Sequence, residues 1–252
     1  MAPSRHIRVE RLDGATRRDD RDYVVEEAPL QLRARGTPVA TIMRTPGDDL
    51  ALVRGLLHAE GIVATPSQPD ADAVELDVDP AAFAARGLLA SAACGVCGRA
   101  AIADLELRAR AVTADTTIAA AVLTALPAQL RAAQSVFAAT GGLHAAGLFT
   151  PDGALVAARE DVGRHNAVDK LAGWALAAGL DPARHVLVLS GRAGYELVQK
   201  AIMLGVPIVA SVSAPSSLAI ALAERFNVAL AGFVREARAN LYAHGWRVRG
   251  PA

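Results

Sequence analysis

The chain has 252 residues, of which 52% are hydrophobic and 21% charged, and its 26 basic residues are matched by 26 acidic ones. That length suffices for one large domain or two small ones whose cores need no disulfide or metal staple. Zero net charge excludes a broadly basic nucleic-acid binder, and the lack of any run of about eighteen apolar residues excludes a helical membrane span.

The opening residues, MAPSRHIRVERLDGATRRDDRD, hold no secretory apolar stretch and point to the cytoplasm. Charged and aperiodic, residues 1–22 read as a flexible arm. From residue 23 short apolar runs begin a smaller, β-rich N-terminal subdomain that extends to residue 110. Residues 29–33 and 39–43 are predicted strands turned at Arg35-Gly36. Asp48 is the candidate N-cap of a helix that runs to Glu60 on the stripe Leu50, Val53, Leu56 and Leu57, with Gly61 as its stop. Residues 73–78 alternate as a strand. Between Pro80 and Ile102 lies a Gly/Ala-rich, partly looped segment that carries Cys94-Gly95-Val96-Cys97.

A second domain occupies residues 111–252. Two helices, 117–126 and 128–139, are separated at Pro127. Strands 143–149 and 155–159 flank Asp152-Gly153, a strong hairpin signal. Helix 166–178, strand 185–189, helix 195–204, strand 206–211, helix 216–226 and strand 228–234 follow in alternation. That order predicts an α/β sandwich with a partly parallel sheet.

Both cysteines of the chain lie in the CxxC. A thiolate is the reactive form, favoured by nearby positive charge, and Arg99 stands two residues beyond Cys97. Such a loop can carry sulfur as a persulfide. A zinc half-site or a thiol–disulfide redox pair are the other readings of the same spacing, and no histidine lies near enough in sequence to complete a zinc site. Lysine is scarce: Lys170 and Lys200 stand alone among 26 basic residues, which suggests positions where an ammonium rather than a guanidinium is wanted.

Five further segments fall where strands begin or end. Thr140-Gly141-Gly142-Leu143-His144 starts a strand, and a glycine cap with a core histidine accounts for it equally well. Arg159-Glu160-Asp161-Val162-Gly163-Arg164-His165-Asn166 leads into a helix, where Arg164, His165 and free backbone amides suit a phosphate; a solvated, salt-bridged loop is the plain alternative. Ser190-Gly191-Arg192-Ala193-Gly194 and Ser213-Ala214-Pro215-Ser216-Ser217 follow successive strands, where ligands gather in open α/β sheets. Ser216 also fits a simple N-cap. Phe233-Val234-Arg235-Glu236-Ala237-Arg238 sets two arginine forks just past the last strand, suited to a pyrophosphate or to a solvated helix start.

Taken in order, CGVCG, TGGLHAAGLF, REDVGRHNAVDK, SGRAGYELVQKA and GVPIVASVSAPSSLA resemble the successive signatures of the FdhD/NarQ family, the formate dehydrogenase accessory sulfurtransferases. EEAPLQLRARGTPVATIMRTPGDDLALVRGLLHAEGI resembles that family's N-terminal region, so the likeness spans about residues 24–242. It implies a cytidine-deaminase-like three-layer sandwich with a mixed sheet, and a homodimer. It further implies a cysteine desulfurase as sulfur donor, the bis-molybdopterin guanine dinucleotide form of the molybdenum or tungsten cofactor as acceptor, and a formate dehydrogenase catalytic subunit as client. Cys94 matches the persulfide-carrying cysteine and Cys97 its companion, while Phe233 to Arg238 match the stretch associated with the guanine dinucleotide. Ser190, Arg192, Arg164, His165 and Lys170 complete the candidate cofactor contacts. No protein-ligated metal is expected, and without an HxE followed by PCxxC the chain lacks the zinc signature of a deaminase. Gly194 and Ala237 depart from the family pattern, where a small polar residue and a glycine are expected. An escort that binds the cofactor without carrying sulfur, and a CxxC oxidoreductase, are the competing functions.

Overall fold

The computed structural model describes residues 2–84, 105–106 and 108–250, so Cys94, Cys97 and Arg99 lie outside the described residues. The chain opens on β1 (Ser4–Asp13) and β2 (Thr16–Val25), which pair antiparallel along their whole length. This corrects the reading of residues 1–22 as an aperiodic arm. The backbone ladder pairs the ribbon without a fully buried face, and exposed charges meet across it: Arg11 meets Asp20 at 2.8 Å and Arg17 meets Glu10 at 3.1 Å. Hydrophobic periodicity is blind to such pairing. The missed signal is Asp13-Gly14, whose glycine takes the positive φ (59°) required at the first position of the two-residue turn.

The N-terminal sheet follows, built from β3 (Ala28–Ala34), β4 (Thr37–Arg44), β5 (Pro66–Asp70) and β6 (Ala73–Leu76) in the order β4-β3-β6-β5. Helix α1 (Asp49–Glu60) covers one face, bringing Leu52, Val53 and Leu57 onto Leu30, Leu32, Val74 and Leu76. Arg44, fully buried, locks strand to helix by donating from Nε and Nη2 to the Asp49 carboxylate at 2.9 and 3.0 Å. Asp48 does not cap α1 as expected. It adopts a left-handed conformation (φ 56°) with no side-chain cap bond, and its carboxylate pairs with Arg159 at 3.0 Å.

The larger domain is a three-layer α/β/α sandwich on a mixed sheet of order β13-β12-β11-β10-β8-β9. Its strands are β8 (His144–Phe149), β9 (Leu155–Asp161), β10 (Val186–Leu189), β11 (Ile208–Ser211), β12 (Ala229–Arg235) and β13 (Arg238–Ala243). β10, β11 and β12 run parallel, while β8, β9 and β13 run antiparallel to their neighbours. Because side chains alternate across a strand, both faces of β10 are apolar and both are covered. Leu187 and Leu189 pack under α4 (Arg164–Ala177), α5 (Tyr195–Leu204) and α6 (Ser217–Arg225). Val186 and Val188 pack against Leu123, Leu126 and Leu130 of α2 (Ala120–Ala133). A short α3 (Ser135–Thr140) continues from α2, and a two-stranded bridge joins β7 (Ile118–Ala119) to β14 (Val248–Arg249).

Two expectations shift here. Pro127 lies inside a continuous α2, and the break comes at Gln134. The buried stripe of Leu123, Leu126 and Leu130 straddles the proline, and its burial outweighs the lost hydrogen bond and the clash of a mid-helix proline, a cost of about 3 kcal/mol. Nor does the chain's last long apolar strand end the sheet, since β13 returns along it. Among the described residues no helix is long and apolar enough to cross a membrane.

The subdomains are joined by close packing and by a buried polar node. α1 crosses α4 so tightly that a Cβ on Gly55 would sit 2.0 Å from the Asp169 carbonyl oxygen, and one on Gly173 1.9 Å from that of Ala51. Gly173→Ala is therefore expected to cost about 1–3 kcal/mol by overpacking, and thermal denaturation should show a midpoint roughly 4 °C or more lower. In the node, the Asp161 carboxylate accepts from Thr45 N (3.1 Å), Lys170 Nζ (2.7 Å), Gly163 N (2.8 Å) and Asn166 Nδ2 (2.9 Å). Lys170 also donates to the Thr45 carbonyl at 2.7 Å. Lys200 is buried as well, with Nζ 2.8 and 2.9 Å from the two oxygens of Asp169. Both lysines are thus compact point charges inside the molecule, which answers the sequence bias.

Candidate functional site

The parallel strands β10, β11 and β12 end on one edge of the sheet, and the turns that follow them are stitched together there. Ser190 Oγ accepts from Ala145 N at 2.8 Å, tying the end of β10 to the start of β8. Ser211 Oγ donates to Gly191 O at 2.6 Å, and Ala193 bridges Pro215, so the two serine turns form one ledge. Ser216 caps α6 as expected, its Oγ accepting from Ala219 N at 3.2 Å. Gly194, the N-cap of α5, offers no side-chain acceptor.

The stretch from Phe233 to Arg238 is a hairpin turn between β12 and β13, neither a helix start nor a chain continuing past its last strand. Glu236 (φ 50°) and Ala237 (φ 62°) are both left-handed, and Phe233 (φ 52°) sits at a bulge. Three non-glycine residues in this region concentrate strain at one loop, at a cost of order 1–3 kcal/mol each. A glycine would relieve Ala237, which is the physical reason a glycine is expected at that position. The bulge turns Val234 inward and leaves Phe233, Arg235 and Arg238 outward, with Arg238 2.9 Å from Glu236.

A cavity of about 570 Å³ opens at this edge. Pro127, Leu130, Phe137, Leu143, Val212 and Val234 give it apolar walls. Its polar lining comes from Arg131, Gln134, His144, Ser190, Arg235 and Glu236. Arg131 lies over the Phe137 ring, 4.1 Å from its centroid. Beside the cavity stands a cationic group centred on His144. Burial first, then the charges of Arg164, His165 and Arg192, holds the His144 imidazole below its ordinary pKa. Arg164 and Arg192 have no carboxylate partner among the described residues, whereas His165 Nε2 lies 2.8 Å from Glu196 and holds that carboxyl low.

His144 thus carries a pH signature. Its folded pKa lies below the unfolded value near 6.5, so the unfolded chain binds the extra proton as pH falls through that window. Stability is retained above pH 6.5 and lost below it, down to the folded pKa. His144→Gln should flatten that part of the profile, and melting temperatures at pH 5 and pH 7.5 check it.

Of the residues expected at a site, Ser190, Val234, Arg235 and Glu236 line the cavity, and Arg164, His165 and Arg192 surround the His144 that also lines it. Phe233, Ala237 and Arg238 belong to the same hairpin without lining the cavity. Lys170 is 3% exposed and spent on Asp161 and Thr45, so it supports the Arg164–His165 turn from beneath and does not face the cavity. The charged segment before α4 is in turn no merely solvated loop, because Asp161 is fully buried. Gln134 and Phe137 went unforeseen, since they fall at a helix junction that carries no motif. A second, polar cavity of about 740 Å³ lies by His185, at the amino end of β10, and holds none of these motifs.

Comparison with known proteins bears on the family and the fold. The profile of the FdhD/NarQ family matches residues 25–249. A protein of Nocardia farcinica named sulfur carrier protein FdhD is 46% identical over 265 residues, covering 96% of this chain and 94% of that one. One of the same name from Streptomyces coelicolor is 46% identical over 253 residues, covering 90% and 89%. The crystal structure of a Desulfotalea psychrophila protein, assigned as a formate dehydrogenase accessory protein, superposes with a TM-score of 0.80 at 22% identity over 98% of this chain and 100% of that one. The motif order, the shared fold and near-complete coverage by relatives agree: the chain belongs to the FdhD/NarQ family.

Proposed function

We propose that this protein is a cytoplasmic sulfurtransferase that works as a homodimer in the maturation of formate dehydrogenase. Its relatives' name, sulfur carrier protein FdhD, supports the sulfur-carrying role. The Cys94 thiolate attacks the terminal sulfur of a cysteine desulfurase persulfide. A new S–S bond forms on Cys94, the donor's S–S bond breaks, and the desulfurase thiolate leaves. Cys94 then holds this sulfur for its acceptor substrate, the bis-molybdopterin guanine dinucleotide cofactor of molybdenum or tungsten. Within the three-layer sandwich, which we take to be of the cytidine-deaminase kind, the acceptor lies along the edge where the parallel strands end.

One observation carries the acceptor half of this reading: separate motif turns converge on a single cavity with partly apolar walls, beside which Arg164 and Arg192 have no carboxylate partner among the described residues. A ligand that joins a planar ring to a pyrophosphate fits that division. Arg164, Arg192 and His165 suit the phosphate oxygens, where the guanidinium forks add geometry to charge, and Arg235 lines the cavity from the hairpin that also carries Arg238. Ser190 has a hydroxyl proton still to donate, because its oxygen is the acceptor for Ala145 N.

The donor half is tested by incubating the purified protein with a cysteine desulfurase and free cysteine and taking its intact mass. A reductant-labile gain of one sulfur, about 32 Da, is expected of an accessible low-pKa thiol. No gain, with cofactor still bound, assigns the escort function instead.

A further inference from the structure

The polar cavity of about 740 Å³ opens at the amino end of β10, the opposite end of the sheet from the site above, and shares no lining residue with it. Three segments supply its carboxylates: Asp115 ahead of β7, Asp152 in the β8–β9 turn and Asp181 ahead of β10. Against these stands one guanidinium in the lining, that of Arg184. Asp115 and Asp152 are exposed and make no hydrogen bond or ion pair among the described residues. His185 is different, being only 9% exposed. Its Nδ1–H donates to the Asp181 carbonyl at 2.8 Å, which leaves Nε2 of the neutral ring as an acceptor. No described residue donates to that nitrogen, and the ring lines the cavity. The walls are also fixed in advance. Thr116 Oγ1 donates to the Ala183 carbonyl at 2.7 Å, tying the Asp115 segment to the one that bears Asp181 and His185. From beneath, the fully buried Arg247 donates to the carbonyls of Ala114 and Thr116 at 2.6 and 3.2 Å. Acceptors held in place before a ligand arrives need little ordering to bind it.

We propose that this second cavity is a binding site for a guanidinium group, carried by a small guanidino acid or by an arginine side chain of a partner protein. Acceptors and negative charge prevail in it, so its ligand is a cationic donor. The acceptors are spread over three segments, and among the described residues no three acidic or imidazole groups are gathered closely enough to hold a metal ion. A flat cation with five N–H donors matches a dispersed set of acceptors better than a point charge does, and its weaker hydration makes entry less costly. His185 Nε2 accepts one guanidinium N–H, while Asp115 and Asp152 take others in charge-assisted hydrogen bonds. Arg184 has no ion-pair partner among the described residues and suits a carboxylate on the same ligand. That carboxylate separates the two sources, because an arginine within a chain lacks it. The site is independent of the acceptor reading of the other cavity.

Calorimetry on the full chain with L-arginine, N-acetyl-L-arginine amide and L-citrulline tests the assignment. The amide stands for an arginine within a chain, and citrulline keeps the shape of arginine without its charge. Wild type should bind at least one of the two arginine ligands, and citrulline about tenfold more weakly or worse, since hydrogen bonds to a charged group are lost. His185→Asn keeps a donor for the Asp181 carbonyl and removes Nε2, and should weaken binding about tenfold. The double variant Asp115→Asn with Asp152→Asn should weaken it by a similar factor or more. Both of its sites are exposed, so its melting temperature should stay at the wild-type value and separate lost binding from lost fold. L-arginine bound in preference to its blocked form assigns a free guanidino acid held through Arg184. A blocked form bound as well or better assigns an arginine within a chain. No binding of either arginine ligand overturns the proposal, as does citrulline bound equally well. Binding that survives either variant unchanged overturns it too.

Discussion

Cys94→Ala is expected to abolish sulfur gain from a cysteine desulfurase and to leave formate dehydrogenase inactive in cells that depend on this protein. Only two thiols exist in the chain, and both belong to the one CxxC, so no third cysteine can take over the sulfur. The nucleophile must be a thiolate that an outside persulfide can reach, and removing it removes the covalent step itself, not a contribution to it. Wild-type folding should be preserved, with an unchanged melting temperature as the check. Sulfur loading and client activity then sort the three functions. A carrier loses both with Cys94. An escort keeps client activation when both cysteines are replaced and loses it with Arg235 and Arg238. An oxidoreductase reduces a generic disulfide and needs Cys94 and Cys97 alike.

Asp161→Ala is expected to carry a large stability cost. The carboxylate is fully buried and accepts four hydrogen bonds, two of them from the N-terminal side of the joint or its lysine. Its removal strands the Lys170 ammonium, 3% exposed, with only the Thr45 carbonyl for company. Breaking a buried pair in this way costs about 3–5 kcal/mol, and at this chain length the midpoint should fall roughly 10 °C. The double substitution Asp161→Asn with Lys170→Met should lose less than Asp161→Ala alone, because no uncompensated charge remains. A double variant at least as unstable as the single would show that packing, not charge, holds the joint. Arg164 and His165 begin α4 three residues on, so pyrophosphate binding should weaken with Asp161→Ala as well.

Much of the larger domain was legible in the sequence because its elements are regular and locally determined. The β8–β9 hairpin follows from Asp152-Gly153, and α5 lies where the apolar period puts it, at Tyr195–Leu204. The ledge of serine turns follows from glycine and serine placed after buried strands. The N-terminal ribbon was hidden because its strands are rich in charge and bury little. The meaning of the lysines was half legible: their scarcity was visible, but their partners Asp161 and Asp169 are met only in the fold.

By itself, then, the sequence determined the alternation of strands and helices, the family, the paired thiols and the set of turns that fall at strand ends. These depend on periodicity, local turn chemistry and residue identity, all written along one line of chain. Tertiary structure alone decided which of those residues share a cavity. It set Ser190 and Glu236 in one cavity, gathered Arg164, His165 and Arg192 around His144, withdrew Lys170 into the joint, and brought Gln134 and Phe137 from an unremarked helix junction into the wall. Such groupings arise where a twisted sheet brings the ends of non-adjacent strands together, and no local rule of the chain encodes that proximity.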